Sequence, residues 1–320
     1  MPLPTLPEIE AAAAVIRPHC PPTPQYAWPL LAARAGREVW VKHENHTPIG
    51  AFKLRGGLYY LHCLRAAGVA CAGLVSATRG NHGQSLALAG RIFARPVTIV
   101  VPHGNSREKN AAMRALGARL IEAGNDFEDA RQVADELART EGLRFVSPFE
   151  PELVCGVATY GLEFFRHSPP LAAVYVGVGM GSGACGLIAA RDALGLATDI
   201  VGVVAAGAPA YALSFSAGEI VCTPRAETLA DGLACRTPAP AAVALLRAGA
   251  ARLVQVSEAE ITHAMRAYYT DTHNLAEGAG AAGLAGLLQE RARYEGRPVG
   301  VVLSGGNVDA ATFAAILSAA

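Results

Sequence analysis

Short runs of aliphatic residues alternate along the chain with longer stretches rich in Ala and Leu. A short apolar run bounded by turn residues is typical of a buried strand, and the longer stretches are typical of helices. In the first half of the chain, the predicted strands cover 73–76, 96–102, 118–122 and 143–147. The predicted helices between them cover 81–94, 106–116 and 126–140. Ser106 is the predicted N-cap of the second of these helices.

A second series of strands and helices follows. Its predicted strands cover 172–178, 199–205 and 298–303. Its predicted helices cover 182–194, 261–271 and 277–290, with a last one from Val308. We therefore assign the α/β class, with two domains that each contain a mainly parallel sheet with helices on both faces. The predicted large domain covers 1–67 and 147–320, and the inserted small domain covers 68–146. Ligands of such sheets bind where strands end, so the turns after strands are the candidate site.

The composition of the chain limits which kinds of molecule it binds. The 320 residues include 27 basic and 27 acidic ones, so the chain has no basic field for a nucleic acid. The uncharged stretch 171–190 is interrupted by glycines, which favours a strand, a turn and a helix start over a membrane span. Seven scattered cysteines without a CxxC pair, and an N-terminus unlike a signal peptide, favour a cytoplasmic protein. We therefore expect a small-molecule partner and neither a nucleic acid nor a membrane.

Lys53 is the first candidate for chemistry, because it lies among apolar residues in the segment TPIGAFKLRGG. A lysine that is partly removed from water has a lowered pKa and is a better amine nucleophile. The alternative interpretation is a solvated helix face, since Arg55 follows closely.

Three further turns follow predicted strands. The first, SATRGNHGQ (76–84), begins a helix whose free N–H groups suit a carboxylate or phosphate. The alternative interpretation is a capped turn, in which Asn81 only hydrogen-bonds backbone groups. GVGMGSGACG (177–186) lets N–H groups converge on a phosphate. It also contains the GxGxxG pattern of dinucleotide-binding folds, but the next strand ends without the acidic residue that those folds require. In the last turn, Ser304 of SGGN follows the strand 298–303.

The order of these four motifs, from about 41 to 307, resembles the fold type II pyridoxal-phosphate (PLP) enzymes, specifically the threonine/serine dehydratase and serine racemase family. The resemblance implies a tryptophan synthase β-like fold, pyridoxal 5'-phosphate as cofactor and a homodimer. It also implies β-elimination from a 3-hydroxy amino acid such as L-threonine or L-serine, which yields a 2-oxo acid and ammonia.

The same resemblance implies a role for each matching residue. Lys53 forms the Schiff base with the cofactor, and Phe52 lies beside it. Asn81 bonds the ring hydroxyl, and Ser304 bonds the pyridine nitrogen. The implied phosphate cradle is Gly179, Met180, Gly181, Ser182 and Gly183. The implied substrate-binding turn is Ser76, Thr78, Arg79, Gly80, Asn81 and His82. The implied catalytic residues are Lys53, Arg79 and Glu277, the last as an acid that lines the cofactor pocket.

The chain departs from this family at two places. Arg79 stands where serine racemases have a serine that acts as a second base, which argues against a two-base racemisation. Ala206 and Ala212 stand where many relatives have carboxylates that bind a divalent cation, so we expect no metal. The alternatives to a threonine or serine dehydratase are a dehydratase for phenylserine or hydroxyaspartate, an amino-acid racemase, and a PLP-binding protein without catalysis.

Overall fold

The computed structural model describes residues 1–319, whose strands form two separate sheets. The strands are β1 (Gln25–Ala27), β2 (Val39–His43), β3 (Leu74–Ala77), β4 (Val97–Val101), β5 (Arg119–Glu122), β6 (Arg144–Phe145), β7 (Ala173–Gly177), β8 (Asp199–Ala205), β9 (Arg252–Val256) and β10 (Val299–Leu303). The helices are α1 (Leu6–Ile16), α2 (Pro29–Ala35), α3 (Lys53–Ala66), α4 (Asn81–Ile92), α5 (Arg107–Ala115), α6 (Phe127–Thr140), α7 (Pro151–Arg166), α8 (Ser182–Ala193), α9 (Ala210–Ala217), α10 (Pro240–Gly249), α11 (Glu258–Thr272), α12 (Gly278–Gln289) and α13 (Ala310–Ser318).

The larger sheet has six strands in the order β1-β2-β10-β7-β8-β9, and the smaller has four in the order β5-β4-β3-β6. Every pair of neighbours is parallel except β1 and β2, which are antiparallel. Parallel neighbours need crossover connections, and helices of the chain provide them. The carboxyl ends of all strands except β1 therefore lie together at one edge of each sheet.

Both sheets are covered on both faces. In β7, Tyr175 packs into the core that contains α11 and α12, whereas Val174 and Val176 face the core that contains α7 and α8. In the smaller sheet, Val75 packs against α6, and Leu74 faces the core of α3 and α4. This alternation is the strand period of two, and it confirms the predicted α/β class.

Each predicted strand and helix is present, with small shifts at the ends. Ser106 is the N-cap of α5, where its Oγ accepts from the N–H of Lys109 at 3.1 Å. The pattern missed the N-terminal elements α1, β1, α2, β2 and α3, and later α7, α9, α10 and β9. The apolar pattern did not predict β2, because this strand contains the charged Lys42. In the structure Glu163, which is far away in the sequence, neutralises this charge.

The smaller sheet is built entirely from strands inside 68–146, the segment predicted as an inserted domain. The boundaries at 67 and 147 themselves stay predictions. Within residues 1–319, no helix is both long enough and apolar enough to cross a membrane.

Candidate active site

The carboxyl ends of strands from both sheets open into one cleft. The connections that follow β2, β3, β7 and β10 bring Lys53, Arg79, Gly181 and Ser304 to its walls. All four sequence motifs therefore meet in one place, as expected for parallel sheets. Every predicted site residue lines this cleft except Ser76.

Ser76 is a correction to the predicted substrate-binding turn. It lies inside β3 and has no exposed surface, and its Oγ donates to the carbonyl of Val146 at 2.7 Å. The motif begins while the chain is still within the sheet, because β3 continues to Ala77. The segment that lines the cleft therefore starts at Ala77, the last residue of β3, and the turn itself starts at Thr78.

Lys53 differs from the other lysines of the chain. Its Nζ donates to Ser182 Oγ at 2.8 Å and lies 5.0 Å from the centroid of the Phe52 ring. The chain has only two other lysines, Lys42 and Lys109, and each is ion-paired with carboxylates. Lys53 has no such partner within residues 1–319, and burial lowers its pKa to about 8. It is therefore the lysine whose amine is available as a nucleophile at neutral pH.

A buried ion-pair network fixes the beginning of α3. Arg55, two residues after Lys53, lies 2.7 Å from Glu44 and 2.8 Å from Glu163. Lys42 Nζ lies 2.7 Å from the same Glu163. Two cations and two carboxylates balance one another, which makes their burial tolerable. The solvated-face alternative for this segment is wrong, because the Arg55 side chain has no exposed surface.

The glycine-rich loop presents free backbone donors to the cleft. Gly181 has φ +93°, and the first helical bond of α8 runs from Cys185 N–H to the Gly181 carbonyl at 3.0 Å. The N–H groups of 182–184 therefore have no intrahelical acceptor, which suits a phosphate. A Cβ on Gly179 would collide with the carbonyl oxygen of Gly232, so this position requires glycine.

Met180, inside this loop, is held at two points. Its sulfur lies 3.6 Å from Cys235 Sγ, and its carbonyl accepts from the Tyr211 hydroxyl at 3.0 Å. The same hydroxyl accepts from the Ala239 N–H at 3.1 Å. Tyr211 was missed by the sequence analysis, because nothing in its Ala-rich segment indicated that it would reach the loop.

The turn after β3 presents a second set of backbone donors. Gly80 N–H donates to Thr78 Oγ1 at 3.0 Å, and the first bond of α4 runs from Gln84 N–H to the Gly80 carbonyl at 3.0 Å. The N–H groups of 81–83 precede that bond and have no intrahelical acceptor, which suits a carboxylate. His82 beside them is neutral, because burial lowers its pKa to about 3.

A polar network links the turn to the opposite wall. Asn81 Nδ2 donates to Glu277 Oε1 at 2.5 Å, and Asn81 Oδ1 accepts from Asn307 at 2.8 Å. Lys109 Nζ donates to Glu277 Oε2 at 3.1 Å and to Asp231 at 2.6 Å. Burial raises the pKa of Glu277, and the charge of Lys109 opposes that shift. Lys109 and Asp231 were missed, because each belongs to a segment without a chemical motif.

Ser304 closes the site at the end of β10. It is 7% exposed, its Oγ lies 3.4 Å from the Ala279 carbonyl, and its own carbonyl accepts from Phe52 N–H at 3.0 Å. It therefore places a neutral hydroxyl, and no carboxylate, at this wall of the cleft.

These donors match a cofactor that carries both an aldehyde and a phosphate. Lys53 is an amine with a lowered pKa, and the glycine-rich loop offers converging N–H groups. Within residues 1–319, no three His, Cys, Asp or Glu side chains are grouped so that they would hold a metal ion.

Comparisons with known proteins agree with this chemistry. A family model described as pyridoxal-phosphate dependent enzyme matches residues 16–305. L-threonine ammonia-lyase of Thermotoga maritima is 34% identical over 281 residues, 88% of this chain and 70% of that protein. L-threo-3-hydroxyaspartate ammonia-lyase of a Pseudomonas species is 31% identical over 92% of each chain. The names of these relatives thus differ in substrate.

Solved structures agree as well. Maize serine racemase superposes with a TM-score of 0.91 at 26% identity, over 99% of this chain and 98% of that one. A threonine deaminase from T.th. superposes with a TM-score of 0.89 at 30% identity, over 96% and 99%. The predicted resemblance and the predicted cofactor are confirmed. This chain belongs to the pyridoxal-phosphate dependent enzymes, among the fold type II relatives of threonine dehydratase and serine racemase.

Proposed function

We propose that this PLP-dependent lyase converts a 3-hydroxy amino acid of the threonine or serine type to a 2-oxo acid and ammonia, by elimination of the β-hydroxyl as water and uptake of water by the resulting enamine. The observation that carries the proposal is the environment of Lys53, a partly buried amine that has no carboxylate partner within residues 1–319 and lies between two sets of free N–H groups. One set suits the cofactor phosphate and the other the substrate carboxylate, which places the reacting carbon near the amine.

Each group then has a task in the reaction. When bound, PLP supplies an electron sink for the electrons of the Cα–H bond. Lys53 attaches the cofactor and, once released, takes the proton from Cα. The β-hydroxyl leaves as water, and the resulting enamine takes up water to give the 2-oxo acid and ammonia.

The remaining site residues bind and orient. The N–H groups of 182–184 hold the phosphate, and those of 81–83 hold the substrate carboxylate. Asn81 would bond the ring hydroxyl of the cofactor, and Ser304 would bond its ring nitrogen. A neutral hydroxyl cannot keep that nitrogen protonated as a carboxylate would, which favours elimination over transamination.

Racemisation is the less favoured alternative. A two-base racemase needs a proton acceptor on the face of the substrate opposite Lys53. Arg79 stands at the position of that acceptor, and a guanidinium remains protonated in proteins. A protein that binds PLP without catalysis would not need two separate anion cradles around the amine.

We also propose a homodimer in the cytoplasm. The seven cysteines are all free, which agrees with a reducing compartment. Tyr26 and Leu30, on β1 and α2, are more than half exposed at 51% and 57%, and they offer apolar surface to a second copy.

Borohydride reduction of the holoenzyme followed by peptide mass spectrometry tests this assignment. With only three lysines in the chain, the PLP label should be found on Lys53, while Lys42 and Lys109 serve as internal controls. Lys53→Ala should lose both the label and the formation of 2-oxo acid from threonine and serine, with an unchanged circular dichroism spectrum. Label on another lysine, or retained elimination in the variant, would refute the proposed role.

A further inference from the structure

Arg79 is the one cation of the cleft, within residues 1–319, whose charged group has no protein acceptor. Its guanidinium makes no hydrogen bond or ion pair there, its Nε is buried without a partner, and the residue lines the cleft. Of the other three, Lys53 donates to the Ser182 hydroxyl, Lys109 is paired with Asp231 and Glu277, and Arg236 is paired with Asp126 at 2.7 Å. A planar guanidinium that is partly desolvated calls for a carboxylate as partner.

The anions already assigned to the site do not need Arg79. The phosphate has the N–H groups at the start of α8, and the α-carboxylate has those at the start of α4. Arg79 lies just before the second set, at the end of the turn that leads into α4. The unpaired guanidinium is thus a third anion-binding group, next to the place where the substrate carboxylate is held.

We propose that Arg79 binds a second carboxylate on the side chain of the substrate. The substrate class is then a 3-hydroxy amino dicarboxylate, with 3-hydroxyaspartate as its smallest member, which narrows and rests on the function proposed above. 3-Hydroxyaspartate loses its β-hydroxyl as water, and the enamine takes up water to give oxaloacetate and ammonia. This reaction needs no oxidant or reductant.

Substrate discrimination follows from the same contact. The methyl group of threonine offers Arg79 no acceptor, so the guanidinium stays unpaired when threonine is bound. A side-chain carboxylate accepts a charge-assisted pair of hydrogen bonds from it. A contact of this kind is worth about 10- to 100-fold in relative affinity.

The test compares kcat/KM for L-threo-3-hydroxyaspartate and L-threonine in the holoenzyme. The wild-type enzyme should prefer hydroxyaspartate by about tenfold or more, and Arg79→Met should lower that preference by about 10- to 100-fold. Arg79→Lys should lie between the two, because it keeps the charge without the planar fork. Arg236→Met is the matched control: it removes a cleft arginine that already has a carboxylate partner, so the preference should persist.

Calorimetric titration of the holoenzymes with succinate gives a readout without turnover. Succinate should bind the wild-type enzyme more tightly than butyrate does, and Arg79→Met should abolish the difference.

The inference would be wrong if the wild-type enzyme acts on threonine and Arg79→Met lowers kcat/KM equally for both substrates. That result would leave the proposed function intact. If neither amino acid is turned over, the proposed function fails, and succinate binding that depends on Arg79 would still support the anion site. Cofactor absorbance and melting temperature verify that each variant is folded and loaded.

Discussion

At the scale of single residues, the surroundings of a side chain decide its chemistry. Lys53 and Lys109 both line the cleft. Burial lowers the pKa of Lys53 to about 8, since no carboxylate offsets the loss of water. Burial also opposes the charge on Lys109, but Glu277 and Asp231 outweigh it and raise the pKa of that amine. The same residue type therefore supplies a nucleophile at one place and a permanent cation at the other.

This difference predicts a pH dependence for cofactor attachment. Only the neutral amine attacks an aldehyde, so the rate of PLP attachment to the apoenzyme should rise with pH and level off above about 8. A lysine with the ordinary pKa of 10.5 would show a continued rise beyond pH 9. Stopped-flow absorbance from about pH 6.5 to about pH 9.5 measures the midpoint, with Lys53→Ala as the blank. A rate that still climbs at the upper end would contradict the lowered pKa.

At the scale of elements, one tyrosine of α9 holds the glycine-rich loop. The Tyr211 hydroxyl joins the Met180 carbonyl to the Ala239 N–H, and the side chain is 2% exposed. Tyr211→Phe leaves both backbone groups without a partner, so the loop should bind phosphate less well. We expect the Kd for PLP to rise about 5- to 10-fold.

Tyr268→Phe is the matched control for this prediction. Tyr268 is also fully buried, but its hydroxyl has no partner within residues 1–319, so its removal should leave the Kd unchanged. Fluorescence titration of the two apoenzyme variants with PLP measures the difference, and thermal melting reports any general loss of stability. Equal Kd values for both variants would show that Tyr211 does not position the loop.

At the scale of the whole molecule, Lys109 connects the two sheets across the cleft. It lies on α5 beside the smaller sheet, while Asp231 and Glu277 belong to the part that surrounds the larger one. Lys109→Met would leave the buried Glu277 carboxylate without its counter-charge. We expect the free energy of unfolding to fall by about 3 kcal/mol at neutral pH.

The loss should depend on pH in a definite direction. Burial already raises the pKa of Glu277 in the folded state, so folding loses free energy as pH rises through that pKa. Without Lys109 the pKa rises further, and the deficit relative to wild type should grow from pH 5 to pH 8. Urea unfolding of the holoenzymes at both pH values measures it. The double variant Lys109→Met/Glu277→Gln is compared with Glu277→Gln alone, and the deficit between these two should not change with pH. A deficit that still grows between them would exclude Glu277 as its source.

The sequence by itself determined the features that depend on neighbours along the chain. The runs that form β4 and β8 are apolar and continuous, so their strands were predicted to within a residue at each end. Ser106 was recognised as an N-cap because the capping bond is local. The motif around Lys53 and the glycine-rich loop at Gly181 were found for the same reason, since each motif is one continuous segment.

Only the tertiary structure decided which distant groups neutralise one another. Lys109 and Asp231 are 122 residues apart in sequence, and their contact depends on how two sheets face each other across the cleft. In the sequence, Lys42 is a charged residue that interrupts the apolar run of β2. In the structure, α7 places Glu163 beside it and so neutralises its charge. Arg79 differs from Lys109 and Lys42, because within residues 1–319 the fold places no carboxylate partner beside it. The interaction energy of two charges depends on their distance in space, which the spacing of the residues along the chain does not reveal.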